Sequence, residues 1–276
     1  MVKTKKQTLL EKLGTIVGDK SKIGKLISGY RKLEEANYIS SHFSAYLAPV
    51  VASSEELKNN VFTIRHEVYC EELGFEPLKE NRLEFDEFDN FSLHCLIQHY
   101  KSKHFAGTVR MVRPIQPNEQ LPIEKYCLES ITREDLDPRK FDRKDICEIS
   151  RLAVPKEFRR RVMDKFAGAG VAVINEHTYS EKEVRCFPFI AVGLYLAAAA
   201  LAIEEDIKHA YVMMEPRLAR SMKFIGIKFE QIGPVVEYHG KRAPYYINKS
   251  LLKKSLRPGF AKMLADILES IEKQNF

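Results

Sequence analysis

The chain has 276 residues, of which 45% are hydrophobic and 30% are charged, and its formal net charge is +6. These values are those of an ordinary soluble globular protein with a sizeable core. The five cysteines include no CxxC pair, which argues against a metal site or a disulfide framework, and their odd number favours a reducing compartment.

Residues 1–50 are predicted to form a basic helical extension. They contain nine Lys or Arg residues against four Asp or Glu residues, an excess of 9 − 4 = 5 positive charges. Such a segment is typical of a solvated helix docked on the body, or of a surface for an acidic carrier protein or a membrane. No long apolar core follows the basic start, so no signal peptide is recognised. The expected location is the cytoplasm, with peripheral contact to the inner membrane left open.

An amphipathic helix is predicted next, beginning near Ser53 and ending at Gly74. Arg65 lies one residue from its apolar stripe. Two strands, 94–100 and 104–115, then read as a hairpin with Arg110 between apolar neighbours. Before the hairpin, LEFDEFDNF places Asp86 and Asp89 among phenylalanines. Residues 116–145 are interpreted as a long loop with a short helix.

The segment from Asp145 to Arg161, DICEISRLAVPKEFRRR, is the most unusual of the chain. Its first part alternates as a strand, yet Glu148 and Arg151 interrupt the apolar pattern. Burying either charge costs several kcal/mol unless it is paired, on the order given for buried ions. The strand ends at Pro155. We therefore expect a functional strand that feeds a basic loop.

The remaining elements alternate between helix and strand. Helices are predicted at 163–175, 187–203 and 215–225, strands at 208–214, 229–232, 235–238 and 245–248, and a helical tail over 251–276. The apolar run from Cys186 to Ile203 reads as a buried helix rather than a membrane span. The HGKRAPYY segment around Arg242 is interpreted as a loop. This order indicates an α+β or α/β layout around one mixed sheet.

Four motifs, taken together, resemble a known family. RHEVY at Arg65, EFDEFDN, GTVRMV at Arg110 and EISRLAV at Glu148 resemble, in this order, the N-acylhomoserine lactone (autoinducer) synthases, which have the fold of GCN5-related N-acetyltransferases. MEPRLARSMKFIGIKFEQIGPVVEYHGKRAPYYI, with EISRLAVPKEFRRR, is similar to the exosortase (PEP-CTERM)-associated acyltransferases and the long-chain N-acyl amino acid synthases. The resemblance implies an α+β (α/β three-layer) fold with a mixed central sheet flanked by helices. It also implies an acyltransferase domain over 51–250, between the extension 1–50 and the tail 251–276.

The resemblance implies an N-acyltransferase. It would move a medium or long fatty acyl group from an acyl carrier protein or CoA thioester to the amine of an amino acid or related small molecule. No tightly bound cofactor, no metal and no nucleic acid are expected, and the partners are the acidic carrier protein and the amine. Two features depart from the autoinducer synthases. The chain has no Trp, so Phe75 is the nearest equivalent of their Trp in the S-adenosylmethionine pocket, and their SRF is SRL at Leu152. Autoinducer synthesis from S-adenosylmethionine, and a non-catalytic protein of this fold that binds an acyl carrier or a membrane, remain alternatives.

The resemblance also assigns residues. Those carried over as the charged acceptor site and its surroundings are Arg65, Tyr69, Phe75, Asp86, Asp89 and Arg110 for substrate binding, with Glu148 and Arg151 for catalysis. Those expected along the pantetheine arm are Leu152, Ala153 and Val154, followed by Arg159, Arg160 and Arg161. Three alternatives stay open: Glu148 is a general base or an ion-pair partner of Arg110 or Arg151; the two aspartates bind the ammonium or hold the arginines; and the triple arginine binds the donor or is solvated surface.

Overall fold

The computed structural model describes residues 43–158, 190–274 and 276, and in this part of the chain eight strands form one mixed sheet. The strands are β1 (Leu47–Val51), β2 (Ser92–His99), β3 (Phe105–Val112), β4 (Ile146–Ala153), β5 (His209–Met214), β6 (Glu230–Gln231), β7 (Val236–Glu237) and β8 (Lys241–Ile247). The helices are α1 (Glu55–Arg65), α2 (Pro122–Tyr126), α3 (Ile190–Glu204), α4 (Pro216–Met222), α5 (Lys249–Ser255) and α6 (Pro258–Glu272).

Two further helical segments bear on the site. Helix α1 is capped by the Ser54 side chain, which accepts a hydrogen bond from the Leu57 amide, and it continues as a π-helix over His66–Glu72. A short 3₁₀ helix, Glu87–Phe91, begins at Asp86 and leads into β2. Four more 3₁₀ turns between Leu128 and Asp145 fill the predicted loop.

The strand order is β1-β2-β3-β4-β5-β8-β6, with β7 also paired to β8. All of these pairs are antiparallel except β4 with β5, which is parallel. The predicted hairpin is therefore β2 and β3, and the predicted central strand is β4. The mixed sheet flanked by helices confirms the predicted fold class.

The core is divided between the two faces of the sheet because neighbouring residues of a strand point to opposite faces. On β2, Cys95 and Ile97 pack in the cluster that contains α3 and α6, whereas Leu96 packs in the cluster that contains α1. Helix α3 is apolar and buried along most of its length, as its sequence predicted. Within the described residues, no helix combines the length and hydrophobicity needed to cross a bilayer.

Two sequence predictions need correction. Residues 47–50 were predicted to be helical, but they belong to β1, at the edge of the described sheet, where the missing N–H of Pro49 is tolerated. The HGKRAPYY segment is predicted to be a loop, but most of it belongs to β8.

The C-terminal segment is helical as predicted, and its helix α6 packs on the body of the protein. It buries one face against the sheet and α3, through Phe260, Met263, Leu264, Ile267 and Ile271. The predicted helix 163–175 and most of the extension 1–50 lie outside the described residues.

Candidate active site

A cavity opens where β4 and β5 separate. The two strands pair only from Ile146 to Glu148 on β4 and from His209 to Tyr211 on β5, although both continue further. Beyond that point, Ile149–Leu152 and Val212–Met214 line opposite sides of a cavity of about 470 Å³. Beyond Glu148, the backbone of β4 therefore has no hydrogen-bonding partner in β5 and faces the cavity, where a ligand fits.

The strand β4 has a bulge at the same place. Thr108 on β3 pairs with Ala153 on β4, and Arg110 pairs with Ser150. An advance of two residues along β3 is therefore matched by three residues on β4. Arg151 within the bulge has φ 49°, a left-handed conformation that costs a non-glycine residue about 1–3 kcal/mol. The side chain of Arg151 offsets this conformational cost, because it donates hydrogen bonds to three carboxylates.

Those carboxylates belong to Glu76, Glu84 and Asp86. The Arg151 Nη2 donates to Glu76 Oε1 at 2.9 Å and to Asp86 Oδ2 at 3.1 Å, and its Nε donates to Glu84 Oε1 at 3.3 Å. The guanidinium also lies 5.5 Å from the ring centroid of Tyr69, whose hydroxyl donates to the Leu152 carbonyl at 2.8 Å. The bulge is thus held from outside the sheet by residues of the first helix and the following loop.

Arg65 and Arg110 are buried beside it. Arg65 Nη1 and Nη2 donate to the two Asp89 oxygens at 2.7 and 3.1 Å, and its Nε donates to Glu84. Arg110 Nη1 donates to Asp86 at 2.6 Å and to Asp89 at 2.9 Å. Three arginines and four carboxylates therefore form one network, which we call the charged network: Arg65, Arg110, Arg151, Glu76, Glu84, Asp86 and Asp89.

Asp89 is the hub of this network. Its carboxylate contacts Arg65 and Arg110 and also accepts the Asp86 backbone N–H at 2.7 Å. Burial opposes ionisation of Asp89, but the adjacent Arg65 and Arg110 guanidiniums outweigh it and hold its pKa well below the usual range. Both aspartates thus contact arginines, as one of their two predicted roles requires, and their binding of an acceptor ammonium stays a prediction.

Glu148 is in a different environment. Its side chain is buried, and its Oε2 accepts the Ile123 backbone N–H at 2.7 Å. Burial raises the pKa of Glu148 to about 8, against the opposing effects of that hydrogen bond and of Arg110. No described residue forms an ion pair with Glu148, since Arg110 and Arg151 are engaged with other carboxylates. Among the described residues Glu148 therefore makes no close ion pair with these arginines, although their charges still act on it, and its role as a general base stays a prediction.

The cavity brings together five of the predicted site residues: Tyr69, Arg110, Glu148, Arg151 and Leu152. Arg65, Asp86 and Asp89 do not line the cavity. The two aspartates contact arginines that do, and Arg65 shares Asp89 with Arg110 and Glu84 with Arg151. Ala153 and Val154 are buried in the core, and Phe75 lies 5.7 Å from the ring of His239. Arg159, Arg160 and Arg161 lie outside the described residues, so their role stays a prediction.

The sequence reasoning missed several cavity and network residues. Glu84 and Glu76 complete the pairing of Arg151, and Glu84 was detectable as a third acidic residue in the LEFDEFD segment. Tyr195 on α3, Tyr238 and Arg242 also line the cavity. Nothing in their local sequence marks them, because they reach the cavity only through the packing of α3 on the sheet and the pairing of β8 with β5.

A second, smaller cavity of about 60 Å³ lies between α3, β5, β8 and α5. It shares Ile149, Tyr195 and Val212 with the first cavity. Its other lining residues are almost all apolar, and the helix α3 contributes three small ones, Ala198, Ala199 and Ala202. The described residues contain no group of three or more metal-ligating side chains.

Comparison with known proteins assigns the class. Residues 64–168 match the family described as the acetyltransferase (GNAT) domain, a range that contains the charged network, the hairpin and β4. Together with the mixed sheet, this match over residues 64–168 supports an acyltransferase, as the sequence predicted. A comparison with curated protein sequences found no match.

Solved structures share the fold. The AHL synthase LasI is 14% identical, with a TM-score of 0.51 over 77% of this chain and 97% of that chain. FeeM, an N-acyl amino acid synthase from uncultured soil microbes, is 13% identical, with a TM-score of 0.52 over 76% and 94%. BjaI, a CoA-dependent acyl-homoserine lactone synthase with SAM and isopentyl-CoA, is 14% identical, with a TM-score of 0.52 over 79% and 89%. These similarities confirm the predicted fold.

Proposed function

We propose that this acyltransferase moves a medium or long fatty acyl group from a carrier-bound thioester to the amine of an amino acid or related small molecule. The observation that carries the proposal is the cavity between β4 and β5. It combines a buried carboxyl of raised pKa with a strand edge unpaired to β5 and an adjoining apolar recess.

The chemistry that we propose needs no covalent enzyme intermediate. The amine nitrogen attacks the thioester carbonyl carbon, the N–C bond forms, and the C–S bond breaks to release the thiol. Glu148 in its ionised form takes the proton that the amine loses, directly or through a water, and the leaving thiolate takes up a proton. The backbone of Ile149–Leu152 lines the cavity and is our candidate for the donors that stabilise the oxyanion.

The apolar recess supports a fatty acyl chain as the transferred group. Ile149, Tyr195 and Val212 line both cavities, so a chain whose carbonyl is near Glu148 has an apolar path toward the second cavity. The alanines of α3 leave room there, and burial of each CH₂ stabilises the bound chain by about 0.8 kcal/mol.

A basic surface beside both cavities supports a carrier protein as the donor. Residues 216–228 contain four basic residues and no acidic residue, and so do residues 249–257. The eight cations of this surface are Arg217, Arg220, Lys223, Lys228, Lys249, Lys253, Lys254 and Arg257. The two segments touch, since the Arg257 N–H donates to the Ile225 carbonyl at 3.2 Å. None of the eight forms an ion pair with another described residue.

This basic surface reaches the site and has an apolar centre. Arg217 lines the first cavity, Lys249 lines the second, and Phe224 between the cations is 65% exposed. An acidic acyl carrier protein complements such a surface, because opposite potentials steer the encounter and fix its orientation.

We expect the double variant Arg220→Glu/Lys253→Glu to lose carrier-dependent activity selectively. Neither residue lines a cavity, so kcat/KM with acyl carrier protein thioester should fall about 10–100-fold, with weaker salt dependence. Activity with the matching acyl-CoA should change little. Lys101→Glu/Lys144→Glu reverses two exposed charges elsewhere and serves as the control. Equal losses with both donors, or no loss with either, would contradict the carrier-docking role.

Autoinducer synthesis from S-adenosylmethionine is the alternative, and the surroundings of Phe75 disfavour it. The guanidinium of Arg242 already lies 6.0 Å from the Phe75 ring centroid. A sulfonium cation brought to the same ring meets like-charge repulsion rather than an open aromatic face. S-adenosylmethionine therefore belongs among the acceptors assayed.

The proposal is tested by thiol release. The purified chain is incubated with acyl carrier protein or CoA thioesters of several chain lengths, together with amino acids, simple amines or S-adenosylmethionine. We expect amine-dependent release that is greatest with amino acids. Absence of release with every donor and acceptor would overturn the proposal and favour the non-catalytic alternative, a protein that binds an acyl carrier or a membrane.

A further inference from the structure

One cation in the main cavity has no counter-charge among the described residues. Arg242 is on β8 and lines the cavity that also contains Glu148. Within the described residues its guanidinium forms no ion pair or hydrogen bond, and its Nε is buried without a partner. Its described contact is with the face of Phe75. An arginine left in this state carries a desolvation cost that only the cation–π contact with Phe75 offsets within the described structure.

The other cations near Glu148 differ in this respect. Arg110 and Arg151 also line the cavity, but the charged network supplies each of them with at least two carboxylates. Arg217 lines the cavity as well, but it is exposed, so water solvates it. Arg242 is therefore the partly buried, unpaired guanidinium that a ligand anion in this cavity would meet.

We infer that Arg242 binds the carboxylate of the acceptor. The inference rests on the proposed function and narrows its substrate to molecules that carry both an amine and a carboxylate. A guanidinium presents two parallel N–H donors that match a carboxylate, and such a pair is stronger than a neutral hydrogen bond. Phe75 holds the guanidinium plane from one side, so part of the ordering cost is already met before the ligand arrives.

In this arrangement the acceptor lies between Arg242, which binds it, and Glu148, which acts as the base. Its carboxylate pairs with Arg242, and its amine points to Glu148, which takes the proton as the N–C bond forms. The carboxylate takes no part in bond making, so losing its partner should weaken acceptor binding without altering the donor.

The test compares an amino acid with the amine that lacks only its carboxylate, such as phenylalanine with phenethylamine. We expect the wild type to prefer the amino acid. Arg242→Ala should raise KM for the amino acid about 10–100-fold, which corresponds to the loss of a charged hydrogen-bonded pair. The values for the amine and for the acyl donor should stay near those of the wild type.

Two further variants sharpen the result. Arg242→Lys keeps the charge without the planar fork and should restore part of the preference. Lys241→Ala removes an exposed charge from the adjacent residue and should keep the full preference. The inference is overturned if the wild type uses both acceptors equally, or if Arg242→Ala weakens both acceptors or the donor to the same extent. Failure of the proposed function is distinct, since the wild type would then release no thiol with any amine.

Discussion

Replacing Glu148 by glutamine is expected to lower kcat by a factor of about 10²–10⁴, the range attributed to a positioned general base. Glutamine keeps the shape of the side chain and retains an oxygen that accepts the Ile123 N–H, but it cannot take a proton from the amine. Because the pKa of Glu148 is raised to about 8, the carboxyl is largely neutral at pH 7, so the neutral amide should leave stability nearly unchanged.

The pH dependence provides an internal check on this assignment. Only ionised Glu148 accepts the proton, so kcat/KM should increase with pH around a midpoint near 8. The acceptor amine ionises as well, so the pH profile of the residual activity of Glu148→Gln shows how much of the pH dependence comes from the amine alone. A flat wild-type profile between about pH 6 and 9, or the same profile in both proteins, would contradict the base role.

The same shift has a consequence for stability. The pKa of Glu148 in the folded chain is above that of an unfolded glutamate, about 4.3. The stability that its neutral form contributes is therefore complete below the unfolded value and is lost as the pH rises through about 8. Chemical unfolding of the wild type should show this loss, and Glu148→Gln should lack it.

Asp89→Asn is expected to destabilise the fold by about 3–5 kcal/mol, the cost of removing one partner from a buried ion pair. Arg65 would keep only Glu84, and Arg110 would lose one of its two carboxylates. The amide also donates hydrogen bonds where the carboxylate accepts them from two guanidiniums and a backbone N–H. Urea unfolding at neutral pH measures the change in the free energy of unfolding.

The matched control is Asp135→Asn. Asp135 also pairs with an arginine, Arg133, through two hydrogen bonds, but both side chains are exposed. Exposed ion pairs contribute little to stability, so no measurable change in the free energy of unfolding is expected for Asp135→Asn. Because the pKa of Asp89 is lowered, its contribution should persist above the unfolded value of about 3.9 and decline as the pH falls below it. Equal stability of Asp89→Asn and the wild type would contradict the hub role.

The charged residues of the site were largely predictable from the sequence, because each interrupts an apolar element. Arg110 and Arg151 are the examples: an apolar strand accepts a charge only where a partner is present, so each of these exceptions marks the charged network. Helix α6 was also detectable, since Phe260, Met263, Leu264, Ile267 and Ile271 follow helical spacing.

Other features depend on tertiary structure. The left-handed Arg151 in the bulge has no local signature, because it is stabilised by carboxylates far away in the chain. The strand β1 is only five residues long and contains Pro49, so it was assigned to the preceding helical range. Arg242 belongs to the site only because β8 pairs with β5 and brings it to the cavity.

The most direct test of amide-forming acyl transfer at this cavity is mass spectrometry of lipid extracts from cells that produce the wild type or Glu148→Gln at matched protein levels. We expect N-acyl amino acids, whose fragments release an intact amino acid and a fatty acyl group, to accumulate with the wild type and to be nearly absent with the variant. Equal accumulation with both proteins would contradict the role of Glu148 and of the cavity around it.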